Sequence, residues 1–127
     1  MPSATAITLT DAASADHIYA PQGQESGVAS FNDDSATTSA GRSKLTLGLS
    51  RSSNRRRTDH VNVKITFPFE HTVDGVVRVS HAALFKGSFI LPEEMSDTDR
   101  DNVKAQVNSL LGSAIVTSYV KDLEPAY

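Results

Sequence analysis

His60-Val61-Asn62-Val63-Lys64-Ile65-Thr66-Phe67 alternates polar and apolar residues over eight positions. Neighbouring side chains of a β-strand leave on opposite faces, so this run places Val61, Val63, Ile65 and Phe67 on one side and Asn62, Lys64 and Thr66 on the other. The same period precedes it, where Leu45, Leu47 and Leu49 alternate with Lys44, Thr46, Gly48 and Ser50. It also follows, where Ala83, Phe85 and Phe89 alternate with Leu84, Lys86 and Ser88. Three such runs predict an antiparallel sheet with an apolar face and a polar one. The polar face carries lysines, hydroxyls and an amide, which suits contact with a polyanion.

Shorter strands are expected upstream, at residues 6–10 and 17–20, joined as a hairpin by the small polar connection Asp11-Ala12-Ala13-Ser14-Ala15-Asp16. Pro21 and Gly23 then interrupt the pattern, and another strand is expected over Gly27–Phe31. Residues 32–41 read as a loop, and Ser52–Thr58 as the turn between the strands at 43–51 and 60–67. Pro68 should end the latter, leaving a loop over Glu70–Gly75 with a turn signal at Asp74-Gly75; Val76-Val77-Arg78-Val79 either continues that loop or begins the last strand, which covers about 80–91.

After Pro92 the pattern becomes helical. Ser96-Asp97-Thr98-Asp99 offers a hydroxyl cap, with acids in the first turn where they meet the positive end of the helix dipole. Val103, Val107, Leu110 and Leu111 follow at helical spacing, and Gly112 is a stop. Ile115, Tyr119, Val120 and Leu123 mark a second helix ending before Pro125. Helices that come last cover one face of a sheet, and the apolar face is the one that needs cover. A sheet of this size also has open edges, which two copies pairing edge to edge would hide.

The 127 residues suffice for a single domain over 1–127. Without cysteine there is no disulfide framework and no thiol chemistry. No apolar run is long enough to span a bilayer, and the start Met1-Pro2-Ser3-Ala4-Thr5 lacks a basic residue ahead of an apolar core, so neither a membrane partner nor a secretory signal is expected. The net charge of −3 conceals an asymmetry. Between Arg42 and Lys64 stand seven basic residues and one acid, a local charge of +6 against −9 elsewhere. The local field decides where a polyanion docks. Arg51, Arg55, Arg56 and Arg57 are additional candidates for phosphate contact, or else solvate a hairpin tip.

Catalytic and metal chemistry find no support. His17, His60, His71 and His81 have no ligand-like spacing, and there is neither a phosphate-binding Gly-rich loop nor a nucleophile elbow. Glu93, Glu94, Asp97, Asp99 and Asp101 gather where a helix begins, as dipole arguments expect. No enzyme, cofactor, metal or small-molecule substrate is expected.

Several strings, in order, resemble the coat proteins of the leviviruses, the single-stranded RNA bacteriophages. Ile7-Thr8-Leu9-Thr10-Asp11, Tyr19-Ala20-Pro21 and Gly27-Val28-Ala29 are similar to the family's N-terminal hairpin and the strand after it. Lys44-Leu45-Thr46, Arg51-Ser52-Ser53 and Val63-Lys64-Ile65 resemble its central hairpin. Leu91-Pro92, Val103-Lys104-Ala105, Leu110-Leu111 and the final Tyr127 resemble its C-terminal part.

The resemblance implies an α+β fold: an N-terminal β-hairpin, a five-stranded antiparallel sheet and two C-terminal helices interlocked across a homodimer. It implies dimers assembling into a T=3 icosahedral capsid in the host bacterial cytoplasm. The inner sheet face would grip an RNA hairpin, so that the coat protein represses replicase translation and marks the genome for packaging. Carried over residue by residue, the RNA face is Val28, Lys44, Thr46, Gly48, Asn62, Lys64, Leu84 and Lys86. Ser50, Thr66 and Ser88 join it by alternation. The family's adenine-pocket threonine is kept as Thr46. Its base-stacking tyrosine is replaced by Leu84, an asparagine by Lys86 and a pocket serine by Gly48, and the loop at 69–79 is shorter and expected at the symmetry axes. The alternatives are a non-viral dimeric β-sheet RNA-binding module and a shell protein that assembles without nucleic acid.

Overall fold

The strands Lys44–Arg51 and Thr58–Val73 pair antiparallel with an unbroken register, Leu45 opposite Ile65, Leu47 opposite Val63 and Leu49 opposite Val61. Directly opposed residues share a face, so the leucines of one strand meet the β-branched residues of the other and the alternation of both is satisfied at once. The computed structural model describes residues 5–25, 27–33, 41–51 and 58–123. Among these, six strands form one antiparallel sheet in chain order: β1 (Ile7–Thr10), β2 (Asp16–Glu25), β3 (Val28–Asp33), β4 (Lys44–Arg51), β5 (Thr58–Val73) and β6 (Val76–Pro92). Two helices follow, α1 (Asp97–Leu111) and α2 (Ala114–Lys121).

The expected five-stranded sheet with a separate hairpin is thus a single six-stranded sheet. The physical reason lies in β2, which runs for ten residues where the sequence suggests four. Its first part pairs with β1 and the remainder with β3, and a register shift between Pro21 and Gly23 absorbs the interruption those residues cause. The β1–β2 connection is fastened by Asp11, whose carboxylate Oδ1 accepts from the backbone N–H of Ala13 and of Ala15, both at 2.9 Å. At the β2–β3 connection Gly27 adopts φ 79°, and a β-carbon there would meet the carbonyl oxygen of Leu49 at 3.1 Å. Glycine alone satisfies both constraints without strain.

The expected loop at 70–75 is instead the end of one long hairpin, and residues 76–79, which the sequence leaves open between loop and strand, belong to the last strand. β5 passes through Pro68 to Val73 and β6 starts at Val76, with Asp74 at φ 51° and Gly75 at φ 78° between them. Two successive left-handed residues make the tight turn whose twist matches paired strands, and Asp-Gly is a preferred pair for it. The turn signal is therefore a hairpin signal, and the valines around it are strand formers.

The core of the sheet unit is small. Tyr19, Phe31 and Leu45 are buried, with Ile7, Leu9, Ala29, Leu47, Val63 and Ile65 packed around them. Phe31, Leu45 and Ile65 form one cross-strand row and Ala29, Leu47 and Val63 the next. The chain divides after Ile90 into this sheet unit and a helical unit beginning at Leu91. In the helical unit Ser96 caps α1, its hydroxyl accepting from Asp99 N–H at 3.2 Å, with Asp97 and Asp99 in the first turn and Gly112 at the C-terminus. Ser113 caps α2 in the same way by accepting from Val116 N–H at 3.4 Å. Among the described residues no helix is long and apolar enough to cross a membrane.

Candidate nucleic-acid interface

The polar residues of β3, β4 and β5 fall into register rows. Asn32, Lys44 and Thr66 stand side by side, then Ser30, Thr46 and Lys64, then Val28, Gly48 and Asn62, and beyond them Ser50 opposite His60. Each row crosses the sheet on one face, because opposed residues of antiparallel strands project to the same side. β6 joins the patch through Ser88, whose hydroxyl donates to Asn62 Oδ1 at 2.7 Å. Alternation from Ser88 puts Lys86 and Leu84 on that side too, while Phe85 turns to the other, where its ring lies against Gly87.

The side-chain alternation that marks the strands also builds the electrostatics. Lys44, Lys64 and Lys86 are exposed, and none forms an ion pair among the described residues. The three rows and the β6 residues contain no acid, and Glu25 stands opposite Val28 at the end of β2. Unpaired ammonium groups on a solvated face lose little by trading water for phosphate. In the row beyond Lys64 lies a notch at Gly48. A β-carbon built there would have Val28 Cγ2 at 3.5 Å and Asn62 Cβ at 3.9 Å, so the notch is walled by those two side chains. Leu84 is 59% exposed and presents an aliphatic rather than an aromatic surface.

The structure therefore brings together Val28, Lys44, Thr46, Gly48, Ser50, Asn62, Lys64, Thr66, Leu84, Lys86 and Ser88 on one side of one sheet. Arg51 does not join them. It follows Ser50 on β4, belongs by alternation with the leucines, and stands opposite Asp59, with Nε 3.9 Å from the carboxylate. Arg55, Arg56 and Arg57 lie outside the described residues. Ser30 and Asn32 extend the patch beyond the expected residues, although the alternation Val28, Ser30, Asn32 carries the signal. Among the described residues no three His, Asp or Glu side chains are arranged to hold a metal ion.

A family profile described as levivirus coat protein matches residues 2–127. Comparison with curated protein sequences gives no match. Among solved structures, a virus-like particle of Beihai levi-like virus 21 superposes with a TM-score of 0.91 at 22% identity, covering 99% of both chains. A virus-like particle of bacteriophage NT-214 gives 0.87 at 23% identity, covering 99% of this chain and 100% of that one. The protein capsid of bacteriophage GA gives 0.76 at 15% identity, covering 97% and 96%. The fold is shared with all three, and the profile spans nearly every residue. The chain belongs to the levivirus coat protein family and is a phage capsid protein, a structural component of the virion and not an enzyme.

Proposed function

We propose that this capsid protein acts as a homodimer, assembles with further copies into a T=3 icosahedral shell, and holds single-stranded genomic RNA on the polar face of its sheet. On this reading the same face binds an RNA hairpin and represses translation. The observation that carries the RNA assignment is the patch itself: Lys44, Thr46, Lys64 and Thr66 in two adjacent register rows, with Lys86 beside them and no acid among them. Leu84 offers no π-face for a base, so attachment leans on charge more than on stacking.

Two features support the dimer. β6 is an edge of the sheet and runs for 17 residues, a long row of backbone donors and acceptors that soluble proteins normally hide. A second copy added antiparallel along β6 satisfies them and doubles the lysine patch into one continuous surface. The other side of the sheet also lacks full cover in a single chain, since Leu49 is 47% and Phe85 41% exposed. α1 and α2 bury no residue among those described, and Ile115, Val120 and Leu123 are largely solvent-facing. Apolar surface on this scale marks an interface, and interlocked helices from two copies give it one.

Expression alone, followed by electron microscopy and the absorbance ratio at 260 and 280 nm, tests the reading. Closed shells with a nucleic-acid-dominated ratio are expected. The triple variant Lys44→Gln, Lys64→Gln, Lys86→Gln should form shells with a markedly lower ratio. Shells from the unaltered chain with a protein-like ratio would refute the RNA assignment, and discrete dimers without shells would refute assembly.

A further inference from the structure

His17 projects from β2 on the side of the sheet away from the lysines, and each of its ring nitrogens meets a different carboxylate. Nε2 lies 2.9 Å from Asp11 Oδ2, in the β1–β2 connection, and Nδ1 lies 3.2 Å from Asp33 Oδ2, at the end of β3. An ionised carboxylate only accepts hydrogen bonds, and a neutral imidazole has a single N–H to give. Both contacts are hydrogen bonds at once only when the ring carries two protons. Asp11 is committed on both oxygens, since its Oδ1 already holds the turn through Ala13 and Ala15. The Asp33 side chain is only 8% exposed, so loss of a donor there leaves a poorly hydrated anion.

We propose that His17 is a proton-gated clasp that pins the N-terminal hairpin, β1 and β2, to β3. With the imidazolium in place Asp11, His17 and Asp33 tie three elements together. Without the second proton one nitrogen lone pair faces a carboxylate, and the hairpin loosens from that end. The clasp sits over a cavity of about 680 Å³ that also exposes Tyr19, Ser43, Phe67 and Phe69 to its interior. Among these the Tyr19 phenol is titratable, and burial raises it above its ordinary value of 10.0. Glu70 on β5 packs against Gly41 in the cavity wall. Asp11 and Asp33 are the charged groups that act on the ring itself.

The direction of the pH effect follows from the same contacts. The hydrogen bond to Asp11, then that to Asp33, raises His17 above its ordinary 6.5. Its contribution is therefore fully present below about pH 6.5 and is lost as pH rises through the raised value. Asp11 is lowered from 3.8, mainly by the hydrogen bond with His17, so its share is lost only as pH falls through that lowered value. The clasp is tightest in the window between the two.

Backbone hydrogen–deuterium exchange of the assembled particle, read by mass spectrometry and corrected for the intrinsic pH dependence of exchange, tests this from about pH 5.5 to 9. Peptides covering residues 7–20 should exchange at least severalfold faster at the alkaline end, while peptides from β4 hold steady. Exchange of the His17 ring C–H in the unaltered protein should titrate with the same midpoint. In His17→Gln the hairpin peptides should exchange fast at every pH. Hairpin protection independent of pH in the unaltered protein, a His17 midpoint displaced from that of the hairpin, or a pH dependence surviving in His17→Gln would each overturn the proposal.

Discussion

Replacing Lys64 by Gln keeps most of the length of the side chain and removes its charge. Lys64 is exposed on β5, directly opposite Thr46, and forms no ion pair among the described residues. No buried partner is orphaned, so the stability change should stay within about 0.5 kcal/mol. RNA affinity should respond differently. Each phosphate neutralised on a single strand contributes about −0.7 to the slope of log affinity against log salt, and about −0.9 on a duplex stem. The proposed homodimer presents two copies of Lys64, so the slope should become shallower by about 0.7 to 1.8. When both copies face single-stranded phosphates, the deficit of the variant at about 50 mM salt should exceed that at about 200 mM by about 7-fold. Fluorescence anisotropy of dissociated dimers with a labelled RNA, over a salt series, measures this directly. Lys121→Gln, at the end of α2, serves as the control and should leave the slope unchanged. An unaltered slope in Lys64→Gln, with unaltered melting, would refute phosphate contact at this position.

Further substitutions probe the scaffold. Leu45→Ala empties a buried site between Phe31 and Ile65, and should cost about 2–5 kcal/mol in chemical denaturation of the dimer. Gly27→Ala forces a β-carbon into a left-handed conformation against the carbonyl oxygen of Leu49, and should cost about 1–2 kcal/mol by the same assay. Ser96→Ala removes the acceptor for Asp99 N–H, and should cost about 1 kcal/mol, seen as a lower melting temperature.

Much of this architecture is legible in the sequence because strand alternation and cross-strand register obey the same period. Once Leu45, Leu47 and Leu49 are assigned to one face, the pairing that sets them opposite Ile65, Val63 and Val61 also aligns Lys44, Thr46 and Gly48 with Thr66, Lys64 and Asn62. The helix starting after Ser96 and stopping at Gly112 is equally legible, since capping is local chemistry. Strand length is not. Pro21, Gly23 and Pro68 read as stops, yet a bulge carries β2 past the first two and β5 continues through the third. Asp74-Gly75 reads as a turn, but the length of hairpin it closes depends on β5–β6 pairing beyond the local window. Arg51 illustrates the opposite error: charge alone groups it with the lysines, while parity puts it with the leucines. The clasp at His17 is invisible in the sequence because its carboxylates lie 6 and 16 residues away and meet only when β1, β2 and β3 are paired.

Ultraviolet crosslinking of RNA within intact particles, with the crosslinked peptides identified by mass spectrometry, asks most directly where the nucleic acid lies. Adducts concentrated in peptides spanning Lys44–Arg51, His60–Phe67 and Leu84–Ile90 are expected. Adducts confined to α1 and α2, with those strand peptides unmodified, would contradict the assignment of the polar sheet face to RNA.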